Sequence, residues 1–329
     1  MKHFISLAVS AVVLSACTEQ TSKKVVSPTP VQISIERLED QLTSFETIEE
    51  ADAFIKEYSL FSSIVLGAGQ FPNPRILTSN LVRMSGDPHL DTLTMNTKAV
   101  FPSVKKLEKE ISSAYSYLTH YYPETTIPKA YTFVSGFGTE LMVEDSLVVI
   151  GLDFFSTSKT KFFPRDIPAY ILKYYQEPYI PSKIMALMSR KYNQFDRSDN
   201  SLLSQMIYYG KACYFMEHML PHAPDSIIIE YSAKEIDDLV YTESTVWAHF
   251  INKKLFFNDT QEAKRRYIDE RPTIPEIADK CPGRIGRWLG WQIVRAYMNE
   301  NQALSLQELM KEKNANLIFK GSKYRPRKP

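Results

Sequence analysis

The sequence predicts an α+β protein that is mostly helical, with a small central sheet, antiparallel or mixed, packed by helices. Residues 131–155 carry three short runs rich in aromatic and β-branched side chains, the composition that favours strands. Before and after this segment, apolar residues recur at intervals of three and four, as they do in amphipathic helices. The chain has 329 residues, and its 44% hydrophobic content is enough for a sizeable core.

The first thirty residues predict a signal peptide followed by a tether. The apolar stretch 5–14 is too short to span a bilayer as a helix. It runs into the tetrapeptide LSAC, which ends at Cys17 and resembles the lipobox of bacterial lipoproteins. This resemblance implies cleavage before Cys17 and a covalent lipid on its sulfur, which would anchor the protein to a membrane without spanning it. The expected segments are a signal peptide over 1–16, a tether over 17–30, one globular domain over 31–319 and a basic tail over 320–329.

Charge and cysteine content argue against a nucleic-acid-binding protein and against a disulfide-rich one. The chain has 39 basic and 38 acidic residues, and loss of the signal peptide with its single lysine makes these counts equal. A balanced charge argues against nucleic acid as a partner. The basic tail is either a contact for anionic lipid head groups or a solvated end. Besides Cys17, only Cys213 and Cys281 carry thiols, too few for a disulfide framework. We expect them to be buried thiols, with a single bridge as the alternative.

Three helices are predicted before the sheet. The first follows from four apolar residues at helical spacing, Ile35, Leu38, Leu42 and Phe45. The second begins at the capping box of Thr47 and Glu50. The third begins at Ser103 and is stopped by Pro123, with apolar residues three and four apart between them. Residues 60–100 show no decisive pattern.

The central segment predicts strands over 131–134, 141–143 and 147–152. Between them lie SGFG and EDS, which have turn composition and are interpreted as hairpin turns. The last run is almost continuously apolar, so we expect it to be the most buried strand.

Several helices are predicted after the sheet. The strongest spans 201–220, where two apolar stripes indicate burial on most sides. The others are a helix over 182–192, one capped by Ser232 and Glu235, one around Val246 to Ile251, one over 283–298, and a short last helix capped by Ser305 and Glu308.

The sequence contains no complete motif for a catalytic centre. The His-Glu-x-x-His pattern of zinc peptidases is missing. His218 and His222 are separated by the helix-breaking Pro221, so we interpret them as surface imidazoles, with a metal-binding pair as the alternative. Ser135 lies in the SGFG segment with no histidine near it in sequence, so a turn residue is favoured over a catalytic serine.

The segment GRIGRWLGWQ allows two interpretations. Gly286 and Gly290 are four residues apart, a spacing typical of close packing between helices. Alternatively, these glycines are the floor of a binding groove with Trp288 and Trp291 as its walls and Arg284 facing an anionic partner. Salt bridges within the fold are the simpler expectation for the arginines of this region, Arg284, Arg287 and Arg295.

Several longer strings resemble one known family. They are HYYPETTIPKAYTFVSGFGTE, LVVIGLDFF, LLSQMIYYGKACYFMEHMLP, CPGRIGRWLGWQIVRAYM and GSKYRPRK. Together with the lipobox, they look like the gliding-motility lipoprotein family GldB of Bacteroidetes, in the family's order from residue 31 onward. The resemblance implies a role in gliding motility, within envelope machinery associated with type IX secretion. It implies no established enzymatic activity.

That family is also distantly similar to zinc-dependent peptidases. In those enzymes a helix after the sheet carries zinc ligands, and a later helix begins Glu-Gly-x-Ala, whose Glu is the third ligand. The corresponding run here begins at Tyr209, so tyrosine stands at the ligand position, and the earlier helix near Ile184 to Met188 has no histidine. The resemblance therefore implies a zincin-like scaffold without its metal, a pseudo-enzyme whose only attached group is the lipid on Cys17.

We therefore expect a non-catalytic lipoprotein that faces the periplasm. Its expected partners are the membrane and other gliding or secretion proteins of the envelope. Thr18 follows the lipidated cysteine in place of the Asp that retains lipoproteins in the inner membrane, which favours the outer membrane. Two alternatives stay open, a cryptic hydrolase acting on cell-wall or peptide substrates and a ligand-binding envelope lipoprotein.

Overall fold

The structure is a computed structural model, and it describes residues 26–326. The predicted signal peptide and Cys17 lie outside the described residues, as do residues 18–25 of the tether and residues 327–329 of the basic tail.

A mixed four-stranded sheet lies at the centre of the described chain. Its strands are β1 (Ile35–Arg37), β2 (Lys129–Phe133), β3 (Leu141–Glu144) and β4 (Leu147–Gly151). The spatial order is β1-β2-β4-β3, with β1, β2 and β4 parallel and β3 antiparallel to β4. The predicted α+β class with a small central sheet is confirmed, and of the two predicted sheet types the mixed one is present.

Strand β4 has apolar cores on both of its faces. Val148 and Ile150 belong to the larger core, whereas Leu147 and Val149 belong to the smaller one. All four side chains are fully buried, which confirms the prediction of the most buried strand. The sequence of a strand that is covered on both faces is continuously apolar, because the side chains on neither face contact water.

Two predictions about the sheet and its surroundings were wrong. Residues Ile35–Arg37 form a strand, and the helix α1 that follows is only one turn long (Glu39–Leu42). The SGFG segment is not a hairpin turn, because β2 pairs with β4 and the chain from 134 to 140 crosses to the far edge. Only the turn between β3 and β4 joins two antiparallel neighbours.

Five further helices lie between α1 and β2 in the described chain, with residues of α2, α3 and α4 in the smaller core and residues of α6 in the larger one. They are α2 (Ile48–Glu57), α3 (Ser59–Ile64), α4 (Pro74–Ser85), α5 (Pro88–Val100) and α6 (Lys105–Tyr121). The predicted capping box of α2 is present. The segment without a decisive pattern contains two helices that begin with proline after a capping residue, Asn73 for α4 and Asp87 for α5. That combination is a start signal that could have been used.

The remaining helices follow β4. They are α7 (Leu152–Ser156), α8 (Ala169–Leu172), α9 (Ile180–Tyr192), α10 (Leu202–Met219), α11 (Asp225–Ile229), α12 (Ala233–Asn252), α13 (Gln261–Tyr267), α14 (Ile285–Glu300), α15 (Leu306–Lys311) and α16 (Ala315–Ser322). The two helices predicted between 232 and 251 are one continuous helix, α12. Helix α16 includes the first residues of the predicted basic tail.

Helices α10 and α14 cross in contact at two glycines. A Cβ atom built on Gly290 would lie 1.9 Å from the carbonyl oxygen of Met206, and one built on Gly210 would lie 2.4 Å from the backbone of Gly290. The close-packing interpretation of the glycine spacing is therefore confirmed at Gly290. Because the helices meet backbone to backbone, their larger side chains are enclosed on either side of the crossing.

A buried lysine ties α10 to two neighbouring segments. The Lys211 side chain is 1% exposed, and its Nζ donates to the carbonyl oxygens of Gln194 at 2.6 Å and Glu312 at 2.7 Å. The carbonyl oxygen of Met310 is 3.4 Å away. Burial lowers the Lys211 pKa to about 8.

Candidate functional site

A cleft of about 360 Å³ opens between α9, α10, α14 and the start of β3. Its apolar lining includes Leu141, Leu187 and Met216. Six charged side chains also line it, Glu140, Lys183, Arg190, Glu230, Arg284 and Arg287. The volume is within the range of small-ligand sites, and the mixture of apolar wall and convergent charge is typical of them.

Lys183 stands on the first turns of α9 between two carboxylates. Its Nζ lies 3.2 Å from Glu140 Oε1 and 3.0 Å from Glu230 Oε1. Burial by itself lowers the pKa of Lys183, but the two carboxylates outweigh it and hold the pKa above its usual range. Glu140 also accepts a hydrogen bond from the Tyr175 hydroxyl at 2.8 Å. Lys183 thus joins the edge of the sheet to the helical part of the protein as a fixed cation.

Glu230 and Arg284 face each other from two backbone positions of positive φ. Glu230 ends α11 with a φ of 54°, and Arg284 precedes α14 with a φ of 59°. Arg284 Nη1 lies 3.3 Å from Glu230 Oε2 and 3.3 Å from Glu270 Oε1. Burial alone would raise the pKa of Glu230. The opposite effect of Lys183 and Arg284 is larger, so the pKa lies below its usual range and the carboxylate is ionised. Left-handed backbone at residues other than glycine costs free energy and is frequent at functional sites.

Arg287 lies over the ring of Tyr209 in the same cleft. The centre of its guanidinium group is 4.3 Å from the centroid of the Tyr209 ring, and its Nε donates to the Ile268 carbonyl oxygen at 2.7 Å. The nearest carboxylate oxygen, Glu270 Oε1, is 3.6 Å from Nη1. Tyr209, which only the family resemblance singled out in the sequence, is therefore a wall of the cleft and the support of an arginine.

The predicted groove of Arg284, Trp288 and Trp291 is not assembled. Arg284 does reach the cleft, but Trp288 is 6% exposed and Trp291 is fully buried. The Trp291 indole donates to Glu217 Oε2 at 3.0 Å, and Arg295 stacks over its ring at 3.8 Å. Both tryptophans are core residues, because the glycine crossing brings α10 close and encloses that side of α14.

The other sequence candidates have structural roles. The Nδ1 atom of His218 lies 2.9 Å from the carbonyl oxygen of Tyr214, one turn earlier in its own helix, and His222 is exposed. Ser135 Oγ lies 3.1 Å from the buried Asp153 Oδ2 and accepts from the backbone N–H of Thr139 at 3.1 Å. Ser135 therefore shapes the loop between β2 and β3.

The two cysteines of the described residues are structural as well. Cys213 and Cys281 are free and buried, as predicted, and burial raises the pKa of each thiol to about 12. Over residues 26–326, no three His, Cys, Asp or Glu side chains are grouped so that they could hold a metal ion. The prediction from sequence missed Lys183, Glu140 and Glu230. One available signal was Lys183 itself, which is the only charged residue in the segment 180–188.

The fold and the cleft define a mostly helical α+β protein with a charged cleft between its central helices. Residues 19–326 match the family described as Gliding motility protein GldB. Because the match covers nearly the whole chain, the chain belongs to this family. No curated protein and no solved structure matches it significantly. Within the described part of the chain, no helix has both the length and the apolar character needed to cross a bilayer.

Proposed function

We propose that this chain is a lipid-anchored, non-catalytic component of the gliding-motility machinery, located at the periplasmic face of the envelope. The observation that carries the proposal is the family match over residues 19–326. Its partners would be the membrane, through the lipid on Cys17, and other envelope proteins of gliding or of type IX secretion. Thr18 after the lipidated cysteine favours the outer membrane over the inner one.

The way the chain enters the domain supports a position close to the membrane. The backbone N–H groups of Val31 and Ile33 donate to the hydroxyls of Ser116 and Ser112 at 2.8 and 2.9 Å. These bonds attach the chain to α6 from residue 31 onward. Only residues 17–30 are left as a tether, and at about 3.3–3.6 Å per residue they reach at most about 50 Å. The domain would therefore stay near the bilayer that holds its lipid.

The charges of the cleft support a role other than catalysis. A general acid or base must exchange its proton near the working pH. Glu230 has a lowered pKa and Lys183 a raised one, and each is held by opposite charges within about 3.3 Å. Helices α9 and α10 both line the cleft, and the resemblance to zinc peptidases implies that Tyr209 stands where their ligand-bearing Glu would be. These features fit a zincin-like scaffold or pseudo-peptidase, which we include in the proposal.

The anchor is tested in a strain that lacks its own copy of this chain. We expect the wild-type chain to restore gliding and to incorporate radiolabelled palmitate. Cys17→Ala should lose the label, leave the membrane fraction and fail to restore gliding. Cys281→Ala is the matched control, because it removes a buried thiol and leaves the lipobox intact. A Cys17→Ala protein that is still labelled and still in the membrane fraction would contradict the proposed anchor.

The non-catalytic part is tested separately on the lipoprotein purified in detergent. After dialysis without chelator, we expect zinc far below one atom per chain. Incubation with peptides or cell-wall fragments should leave them uncleaved, as judged by mass spectrometry. About one zinc per chain, or turnover of either substrate, would instead favour the hydrolase alternative.

A further inference from the structure

The cleft contains more positive charge than its own carboxylates neutralise. Its carboxylates and the adjacent Glu270 pair with Lys183 and Arg284 at 3.0 to 3.3 Å. Four cationic side chains line the cleft, Lys183, Arg190, Arg284 and Arg287, against three carboxylates, Glu140, Glu230 and Glu270. Among residues 26–326 the excess is therefore one positive charge. It lies with Arg190, which has no ion pair there, and Arg287, whose carboxylate neighbour Glu270 is 3.6 Å away.

Arg190 and Arg287 flank one pair of tyrosine rings. The centroids of Tyr208 and Tyr209 are 5.4 Å apart. Arg287 stacks on Tyr209, and the charge of Arg190 opposes the rise that burial causes in the pKa of Tyr208. Arg190 is exposed and forms no ion pair with any residue in the range 26–326. Both arginines therefore line the cleft beside this tyrosine pair, and N–H donors of both remain available to a ligand.

Arg287 is held in place without being neutralised. Its side chain is 20% exposed, its guanidinium group lies over the Tyr209 ring, and its Nε donates to a carbonyl oxygen. The carboxylate of Glu270 is closer to Arg284 than to Arg287, at 3.3 Å against 3.6 Å. A cation that is oriented in advance and only partly paired is suited to meeting an external anion.

We propose that the cleft binds the carboxylate group of a peptide, with Arg190 and Arg287 as its charged contacts. The wall containing Leu141, Leu187 and Met216 would receive an apolar side chain next to that carboxylate. The inference rests on the proposed function, because a non-catalytic component acts by binding. A cleft of about 360 Å³ holds a short peptide segment but not the surface of a folded protein.

The charge balance favours a carboxylate over a phosphate. A phosphate monoester carries about 1.5 to 2 negative charges near neutral pH, whereas the cleft has one excess positive charge. The second charge of a phosphate would face Glu140 and Glu230, which are already committed to internal pairs. A carboxylate matches both the single excess charge and the fork of the guanidinium group.

The test measures peptide binding to the full lipoprotein in detergent by fluorescence anisotropy. The probes carry an uncharged boron-dipyrromethene dye on the amino terminus. They are Ala-Ala-Ala-Leu with a free carboxyl terminus, the same peptide amidated, amidated Ala-Glu-Ala-Leu, and its phosphoserine analogue. We expect at least one carboxylate peptide to bind about tenfold or more tightly than the amidated apolar peptide, the value for one charge-assisted hydrogen bond. Preference for the free terminus or for the Glu peptide identifies the source of the carboxylate.

Variants then assign the binding to the cleft. Arg190→Gln and Arg287→Gln should each weaken carboxylate binding about tenfold or more. Arg265→Gln, which changes an exposed arginine that does not line the cleft, should not. Arg287 also contacts Ile268, so its variant is checked by circular dichroism. If Arg287→Gln does not fold, Arg190→Gln alone decides the test, because Arg190 is exposed and its substitution leaves the core unchanged.

Other outcomes would overturn one proposal without affecting the other. Equal binding of the amidated apolar peptide, tighter binding of the phosphoserine peptide, or insensitivity to Arg190→Gln would reject the carboxylate site. Cleavage of a bound peptide, detected by mass spectrometry, would reject the non-catalytic role and leave the site standing. Normal gliding by an unlipidated Cys17→Ala protein would reject the anchored role and say nothing against peptide binding.

Discussion

Replacement of Gly290 by alanine should force helices α10 and α14 apart and destabilise the protein. An added Cβ would lie 1.9 Å from the Met206 carbonyl oxygen, whereas ordinary contacts of this kind are 3.4 Å or longer. The obstacle is helix backbone, which cannot rotate away as a flexible side chain does. Helices α10 and α14 must therefore separate by about 1.5 Å at their crossing.

The cost of that separation follows from what surrounds the crossing. Ten of the sixteen residues of α14 are buried, including both Trp288 and Trp291. A gap of this size removes a large part of their dispersion contacts. Alanine regains about 1 kcal/mol through its higher helix propensity, and overpacking against a rigid neighbour costs at least about 3 kcal/mol. We expect a net loss of about 2 to 4 kcal/mol in the free energy of unfolding.

Urea unfolding followed by tryptophan fluorescence measures this loss directly, because Trp288 and Trp291 lie beside the crossing. Gly86→Ala is the matched control, since its added Cβ would have only the Arg83 carbonyl oxygen nearby, at 3.9 Å. It should stay within about 1 kcal/mol of the wild type. A Gly290→Ala protein as stable as the control would refute the argument that the backbones are in contact there.

Two further substitutions test buried charges, each by urea unfolding. The Lys211 pKa is about 8 when folded and near its ordinary 10.5 when unfolded, so between these values the unfolded chain binds the proton and stability rises with pH. Between pH 7.5 and 10.5, the free energy of unfolding of the wild type should therefore rise by about 3 kcal/mol relative to that of Lys211→Met. Lys234→Met, at an exposed site, is the control and should show no such difference from the wild type. Parallel pH curves for the wild type and Lys211→Met would contradict the lowered pKa. Glu217→Ala removes the 4% exposed partner of Arg295 and of the Trp291 indole, and it should lower the free energy of unfolding by about 3 kcal/mol. Glu262→Ala breaks a surface pair and should lower it by less than about 1 kcal/mol. Equal losses in the two variants would argue against a buried network at Glu217.

Local sequence signals predicted the parts of the fold that are determined locally. The apolar run of β4 and the capping boxes of α2, α12 and α15 each depend on a few adjacent residues, and all four are present. Strand β1 was missed because it has three residues and pairs with β2, more than ninety positions away in sequence. Its apolar residue Ile35 also fits a helical period, so periodicity alone cannot separate the two structures.

The cleft could not be predicted by the same means. Its charged residues come from a loop before β3, from α9, from the end of α11 and from α14, so no single segment contains a motif. The alternative interpretation of a groove on α14 failed for a related reason. The spacing of Trp288 and Trp291 shows that they share a side of the helix, but not that α10 encloses this side. Tyr209 was singled out only through the family resemblance, as a degenerate ligand position and not as a wall of a cleft.

The position of Glu230 offers a way to separate a stabilising role of the charge network from a binding role. Buried ion pairs are weak contributors to stability, because desolvation offsets much of their attraction. Glu230→Gln keeps the shape of the side chain and an acceptor for Arg284, but it raises the excess charge of the cleft from one to two.

If that excess selects the ligand, the binding preference of Glu230→Gln should shift from the carboxylate peptides towards the phosphoserine peptide, as measured by anisotropy on folded protein. Glu262→Gln, outside the cleft, should leave the preference unchanged. A Glu230→Gln protein that loses stability but keeps the wild-type preference would show that the network holds the fold together and does not choose the anion.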